Sequence, residues 1–247
     1  MTGLVAVALA GAATSTAGQG QVDWSRHVLV VESQATASAG TRLDRSAVEL
    51  EARRTLSSAL PEAAAAIRLY GDVLVGDLFE GEHGRALEEG LVRWRVTEAR
   101  YGLAGTVELV AELDLTSWLR PLAVATAEGS DDAARQDRPE TGVVIDARAV
   151  SPEPSYAPRI LGPQGEVVFE LATLSPLAAA RGAPAVWVTD PADELLFEVA
   201  GRAPLVLVAQ GADGADLSVS SDDAARLRAL GAQTDLLSRG RVVVVTP

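Results

Sequence analysis

Apolar residues recur along this chain with two different periods. HVLVVESQATA, at 27–37, opens on a run of Val and Leu and predicts a strand buried on both faces or nearly so. From Leu43 to Leu60 the apolar positions Val48, Ala52, Leu56, Ala59 and Leu60 follow at spacings of four and three. Arg45, Glu49, Arg53 and Arg54 lie mostly off that stripe, so the segment predicts an amphipathic helix. Pro61 ends this helix or opens a second one at its first turn, where a proline forfeits no helical hydrogen bond.

VRWRVTEARY, at 92–101, and TVELVAELDL, at 106–115, both alternate, and the short GLAG between them predicts a hairpin. A register with Ala99 opposite Glu108 sets Arg95 opposite Glu112 and Arg93 opposite Asp114 on one face. Trp94 then faces Leu113 on the other. Cross-strand charge pairs contribute about 0.2–1 kcal/mol each, enough to bias register, and the charged face reads as solvated.

ATAEGSDDAARQDRPE, at 125–140, is small, acidic and without apolar periodicity, which predicts a linker. Beyond it TGVVIDARAV reads as a strand. PRIL and EVVF then bracket Gly162-Pro163-Gln164-Gly165, a turn with proline second and glycine fourth. PLVLVAQGA at 204–212 and GRVVVVTP at 240–247 are further strands. Between them Ser220-Ser221-Asp222-Asp223 before AARLRALG has a capping-box pattern, with acids in the first turn and Gly231 as the C-terminal cap. The expected fold is α+β, with two small domains, each a mainly antiparallel sheet packed with one or two helices. Their bounds are 18–124 and 141–247, joined by the linker 125–140.

The residues before 18 read differently. Leu4 to Ala13, LVAVALAGAA, has the length of a signal h-region, and Ser15-Thr16-Ala17 suits signal-peptidase cleavage. Residues 1–17 are therefore read as an export signal, although a positive n-region is missing; the other reading is a strand or helix of the mature fold. Elsewhere no stretch approaches the roughly 18 apolar residues of a membrane span. The mature chain is expected in the periplasm or at the outer-membrane periphery, without a transmembrane span.

Charge and composition narrow the partners. A net charge of −13, with no basic run, argues against a surface that tracks nucleic-acid phosphates or anionic lipid. The absence of cysteine excludes thiol catalysis, Cys-based zinc sites, disulfides and lipidation at an N-terminal cysteine. At 247 residues the chain can bury a core without disulfides.

Chemistry-bearing residues are few. His27 sits at the mouth of a strand and His83 in GEHG, which reads as a loop, and neither has a partner in sequence suited to general-base or metal work. Nucleophile-elbow, Walker and dinucleotide fingerprints are absent. GADGADLS at 211–218 is oxygen-rich but lacks EF-hand spacing, and reads as a turn between strands. Asp190, Asp193 and Glu194 in TDPADE could serve a hydrolase, but read more simply as a turn and helix start. Asp146 and Arg148, two apart at a strand's end, share a face on a regular strand and are the candidate binding residues, with Arg159 a further member of the cluster. The competing reading makes them scaffolding that ties down the backbone of the turn into PRIL. No catalytic residue, metal site or cofactor is expected.

TGVVIDAR, APRILGPQGEVVF, PLVLVAQGADGADLSVSSDDAARLRAL and LSRGRVVVVTP, in that order, resemble a family of exported bacterial proteins related to flagellar assembly protein T and LPP20-type lipoproteins. VDWSR, the strand after it and the helix-plus-hairpin segment resemble that family's N-terminal domain. The resemblance is weaker at 60–90 and 170–203, and the cysteine for lipidation is missing. It implies a non-enzymatic structural or assembly role in the envelope, through self-association or contact with flagellar basal-body components. The alternative reading is a periplasmic binding module for peptidoglycan, a glycan or a peptide.

Overall fold

The computed structural model describes residues 5–7 (backbone only), 13–38, 44–103, 105–130 and 138–247. The chain opens with β1 (Val5–Val7), β2 (Ala13–Ala17), β3 (Gln21–Asp23) and β4 (Val28–Ala37), followed by helix α1 (Arg45–Ala65). A short hairpin, β5 (Arg68–Tyr70) and β6 (Val73–Leu74), precedes α2 (Gly84–Gly90), β7 (Arg95–Tyr101), β8 (Thr106–Asp114) and α3 (Leu115–Thr126). The second half runs through β9 (Val143–Asp146), β10 (Ile160–Leu161), β11 (Val167–Phe169), α4 (Pro176–Arg181), β12 (Val186–Val188) and α5 (Glu194–Ala200). It finishes with β13 (Leu205–Val208), β14 (Gly211–Asp213), β15 (Asp216–Ser218), α6 (Ser221–Gln233) and β16 (Val242–Val245).

These elements form two compact units that are not contiguous in sequence. The first holds residues 1–23, 28–67 and 76–118; the second holds 24–27, 68–75 and 119–247.

The first unit is an antiparallel sheet of order β1-β2-β4-β8-β7, with β3 also on β4, and α1 laid across β4, β2 and β8. Its core follows from register. Leu29 pairs with Leu113, Val31 with Ala111, Ser33 with Leu109 and Ala35 with Val107, so one face of both strands is buried. Val48, Ala52, Leu56, Leu60 and Ala64 of α1 supply the apolar stripe, and the Ser33 hydroxyl donates to the Ala52 carbonyl at 3.0 Å. The Val and Leu run at the start of β4 is buried on both faces or nearly so, with Val28, Leu29 and Val31 buried and Val30 half-buried, whereas from Glu32 on the strand is one-faced, Glu32 and Gln34 being exposed.

Asp44 caps α1, its carboxylate accepting from the Ser46 and Ala47 amides. Pro61 neither ends the helix nor opens a second. It sits inside, because the stripe continues through Leu60 and Ala64 and their burial offsets one missing hydrogen bond. The β7–β8 hairpin forms with a bulge between Val96 and Glu98. Arg95 faces Glu112 as expected, at 3.5 Å, whereas Glu108 faces Arg100 instead of Ala99. Arg93 and Trp94 precede the strand, Arg93 closing a 3-10 turn, and so take no part in the pairing. Trp118 is buried and donates its indole N–H to the Leu87 carbonyl at 2.8 Å. Gly90 is needed there, since a Cβ would lie 2.6 Å from the indole Cδ1.

The segment read as an export signal contains β1 and β2. β2 pairs with β4 from Ala13–Ala37 to Ala17–Ser33, and the buried Ser15 donates to Glu51 Oε1 at 3.3 Å. Residues 1–4 and 8–12 lie outside the described residues.

The second unit departs from a mainly antiparallel plan. Its central sheet, β12-β16-β9-β13, is parallel throughout, and a second sheet, β11-β10-β15-β14, joins two antiparallel pairs through a parallel one. The physical reason is connection: helices α4, α5 and α6 lie between successive strands of the parallel sheet, and a chain that crosses over through a helix returns in the same direction. Parallel strands are covered on both faces, which accounts for the unbroken burial of Val242–Val245. α5 covers one face, over Val144, Val188, Val243 and Val245.

The turn at Gly162-Pro163-Gln164-Gly165 forms as expected, the Gly165 amide donating to Gly162 O at 3.0 Å with Gly165 at φ 79°. α6 starts at the Ser220 cap but runs through Gly231 to Gln233, with Thr234 as the C-cap. Gly231 is small for packing rather than for capping, because a Cβ would lie 2.9 Å from Leu237 Cδ1. The first expected linker residues, Ala125 and Thr126, are the end of α3. The Glu128 and Gly129 amides then donate to Ala172 O and Leu174 O at 2.9 and 2.8 Å. Residues 131–137 lie outside the described residues.

Candidate functional site

Asp146 ends β9, flanked in register by Val245 and Val208. The chain leaves the strand at once: the Val150 and Ser151 amides both donate to Ala147 O at 3.1 Å, and Ser151 takes a φ of 47°. Arg148 therefore belongs to the turn and shares no strand face with Asp146. The two still meet. Arg148 Nε donates to Oδ1 at 2.9 Å, Nη2 to Oδ2 at 2.6 Å, and the Arg148 amide to Oδ1 at 3.2 Å. This forked pair holds the Asp146 carboxyl below its usual range, chiefly through the guanidinium hydrogen bonds, and raises Arg148.

Arg159 belongs to another cluster. Its Nε lies 3.0 Å from both carboxylate oxygens of Asp216, and its Nη2 also bonds Oδ2. The guanidinium stands 5.1 Å from the Tyr70 ring centroid, and the hydrogen bonds it donates to Asp216 raise its pKa. Asp216 is buried and also accepts from the Gly71 amide at 3.0 Å. Gly71 has φ 46°, and a Cβ would lie 2.9 Å from Arg159 Nη2. The β5–β6 hairpin is held further by the Tyr156 and Ala157 amides, which donate to Arg68 O and Leu69 O, and by Arg68 Nη2 to Glu153 Oε2 at 2.5 Å. Arg159 and Asp216 thus fasten a hairpin from the first third of the chain into the second unit.

The remaining candidates are structural in placement. His27 is buried at φ 52°, edge-on to Trp24 and Tyr156 with centroids at 6.4 and 6.2 Å. His83 precedes α2 without a side-chain cap bond. Asp190 accepts from the Ala192 amide at 2.8 Å and Asp193 caps α5 at the Leu195 amide, the turn and helix start that TDPADE suggested. GADGADLS forms the β14–β15 hairpin around Gly214 at φ 56°. Among the described residues no group of three or more His, Cys, Asp or Glu could hold a metal ion, and no helix is long and apolar enough to cross a membrane.

Two surface features escaped sequence reasoning. Val186, Val243, Val144 and Val206 form one row across the parallel sheet, and α5 packs chiefly over the strands of the first three. Val206 and Val208 are in consequence 54% and 55% exposed. The Leu205 and Ala209 amides donate toward β9, so the intervening amides of Val206 and Val208 point to the outer edge, where no described strand pairs with β13. At the opposite, N-terminal end of the same sheet lies an open cleft of about 450 Å³ between α4, α5 and the turn before β16. Only the alternation in PLVLV, had it been separated from the buried valine runs, signalled the first feature. The cleft had no local signal, since α4 and the turn before β16 that wall it are more than 50 residues apart in sequence.

A mixed α/β domain with a central parallel sheet is the class that the second unit defines. Residues 142–247, from β9 to the end of the chain, match the model of a bacterial protein family described as Treponema pallidum Tp0624, second domain. No curated protein matches the chain.

Proposed function

We propose that the protein is a non-enzymatic, exported envelope component that works by association, the role implied by its resemblance to flagellar assembly protein T and LPP20-type proteins. The observation that carries this reading is the apolar row left uncovered on β13, together with the outward amides of Val206 and Val208. An edge strand of this kind is a template for pairing with another chain, and natural proteins blunt such edges with charge or proline unless they are used. β13 carries neither. The side chains singled out for chemistry support the same reading, because Asp146 and Arg159 are engaged by Arg148 and Asp216. The occupant is an extended strand of a second copy or of an envelope protein.

Envelope fractionation of the native host, with in-cell cross-linking and mass spectrometry of a tagged copy, tests the proposal. Cross-links to itself or to basal-body or outer-membrane proteins are expected, and Val206→Asp/Val208→Asp should remove them while the variant still folds. A freely soluble monomer without protein cross-links overturns it. The same spectra read the mature N-terminus.

A further inference from the structure

We infer that the cleft at the N-terminal ends of β12 and β16 binds a monocarboxylate carried on an apolar stem. One wall is the Arg239-Gly240-Arg241 turn. Gly240 adopts φ 66°, and a Cβ there would lie 3.2 Å from Pro184 O and 3.3 Å from Ala183 O, so only glycine lets the turn pack this closely. The turn brings both flanking arginines to the cleft, and Arg181, at the end of α4, lines it as well. The walls are joined at their base, the Ser175 amide donating to Ser238 O at 2.8 Å.

Each turn arginine is held by one intramolecular bond and keeps other donors. Arg239 Nε lies 2.8 Å from Asp235 Oδ2, and Arg241 Nη1 donates to Thr141 O at 3.0 Å. A guanidinium has five N–H donors in a planar fork, so most remain available to a ligand. Arg181 has no intramolecular partner among the described residues. The charges at the cleft are Arg181, Arg239 and Arg241 against Glu198 and Asp235, a net of one positive charge in a chain of −13. That balance suits a monoanion. Leu174, Leu177, Val186 and Val199 supply apolar lining for its stem, and about 450 Å³ is the size of a small-molecule site, too small for a folded partner.

A free amphiphilic acid and the C-terminal end of a peptide share this chemistry. The experiment titrates the full chain, by calorimetry and NMR, with octanoate, with an N-acetylated Ala-Ala-Leu tripeptide, with its C-terminal amide and with inorganic phosphate. Binding of octanoate, the free-acid tripeptide or both is expected, and which of them binds identifies the source. The amide should bind about tenfold more weakly or worse than the acid, and Arg181→Gln should weaken the acid by a similar factor. Because Arg181 supports nothing inside the fold, its variant should melt as the parent does. Equal binding of acid and amide, displacement of the acid by phosphate, no binding at all, or an Arg181→Gln variant that binds normally overturns the inference. Val206→Asp/Val208→Asp should bind these probes unchanged, so a failure here is distinct from failure of the association reading.

Discussion

Asp146 and Arg159 look alike in sequence, one charged residue beside a strand in each case, yet their partners give them different weights. Asp146 sits in an exposed fork with Arg148. Its pKa is depressed on folding, so the pair contributes stability above the ordinary carboxylate value of 3.8 and loses it as pH falls through the lower folded value. Thermal melts of Asp146→Asn and the parent should differ at pH 7, with the variant less stable, and converge near pH 2. Arg159 neutralises a buried carboxylate. Arg159→Met strands Asp216 with the Gly71 amide as its remaining donor, and urea unfolding should show a loss of about 3 kcal/mol. Gly240→Ala should cost about 1–3 kcal/mol by the same measurement, from left-handed backbone and the close carbonyls of Ala183 and Pro184. The Asp146–Arg148 pair was legible because its members are two residues apart. Asp216 as the partner of Arg159 was not, since 57 residues separate them.

Among elements, the periodic signals survived best. The α1 stripe and the β8 alternation came through because each reports burial on one face, which folding preserves, whereas β7 is exposed along nearly its whole length and is held by pairing with β8. Their ends did not: α1 passes Pro61, and a bulge restores Arg95–Glu112 while moving Glu108 to Arg100. Replacing Pro61 by Ala returns an amide to the helix and should raise stability by about 1–3 kcal/mol in denaturant unfolding. β2 is the element whose removal tests the first unit. A chain lacking residues 1–17 leaves Ser33–Ala37 of β4 unpaired on one side and should melt at a lower temperature than the full chain.

For the whole molecule, charge and surface act in opposite directions. A charge of −13 makes copies repel, while the uncovered valines of β13 favour contact. Self-association through that edge should therefore strengthen as salt screens the repulsion, read as rising cross-link yield, and Val206→Asp/Val208→Asp should abolish the rise.

The sequence by itself determined the α+β class, the amphipathic α1, the β7–β8, β10–β11 and β14–β15 hairpins and the helix caps at Asp193 and Ser220, because each depends on residues within one or two turns of one another. Tertiary structure alone decided that β9, β12, β13 and β16 run parallel, that residues 68–75 join the second unit, that Asp216 receives Arg159, and that three arginines meet in one cleft. Those arrangements join segments tens of residues apart. Their energy lies in burial and ion pairing that exist only once the sheet has brought the segments together.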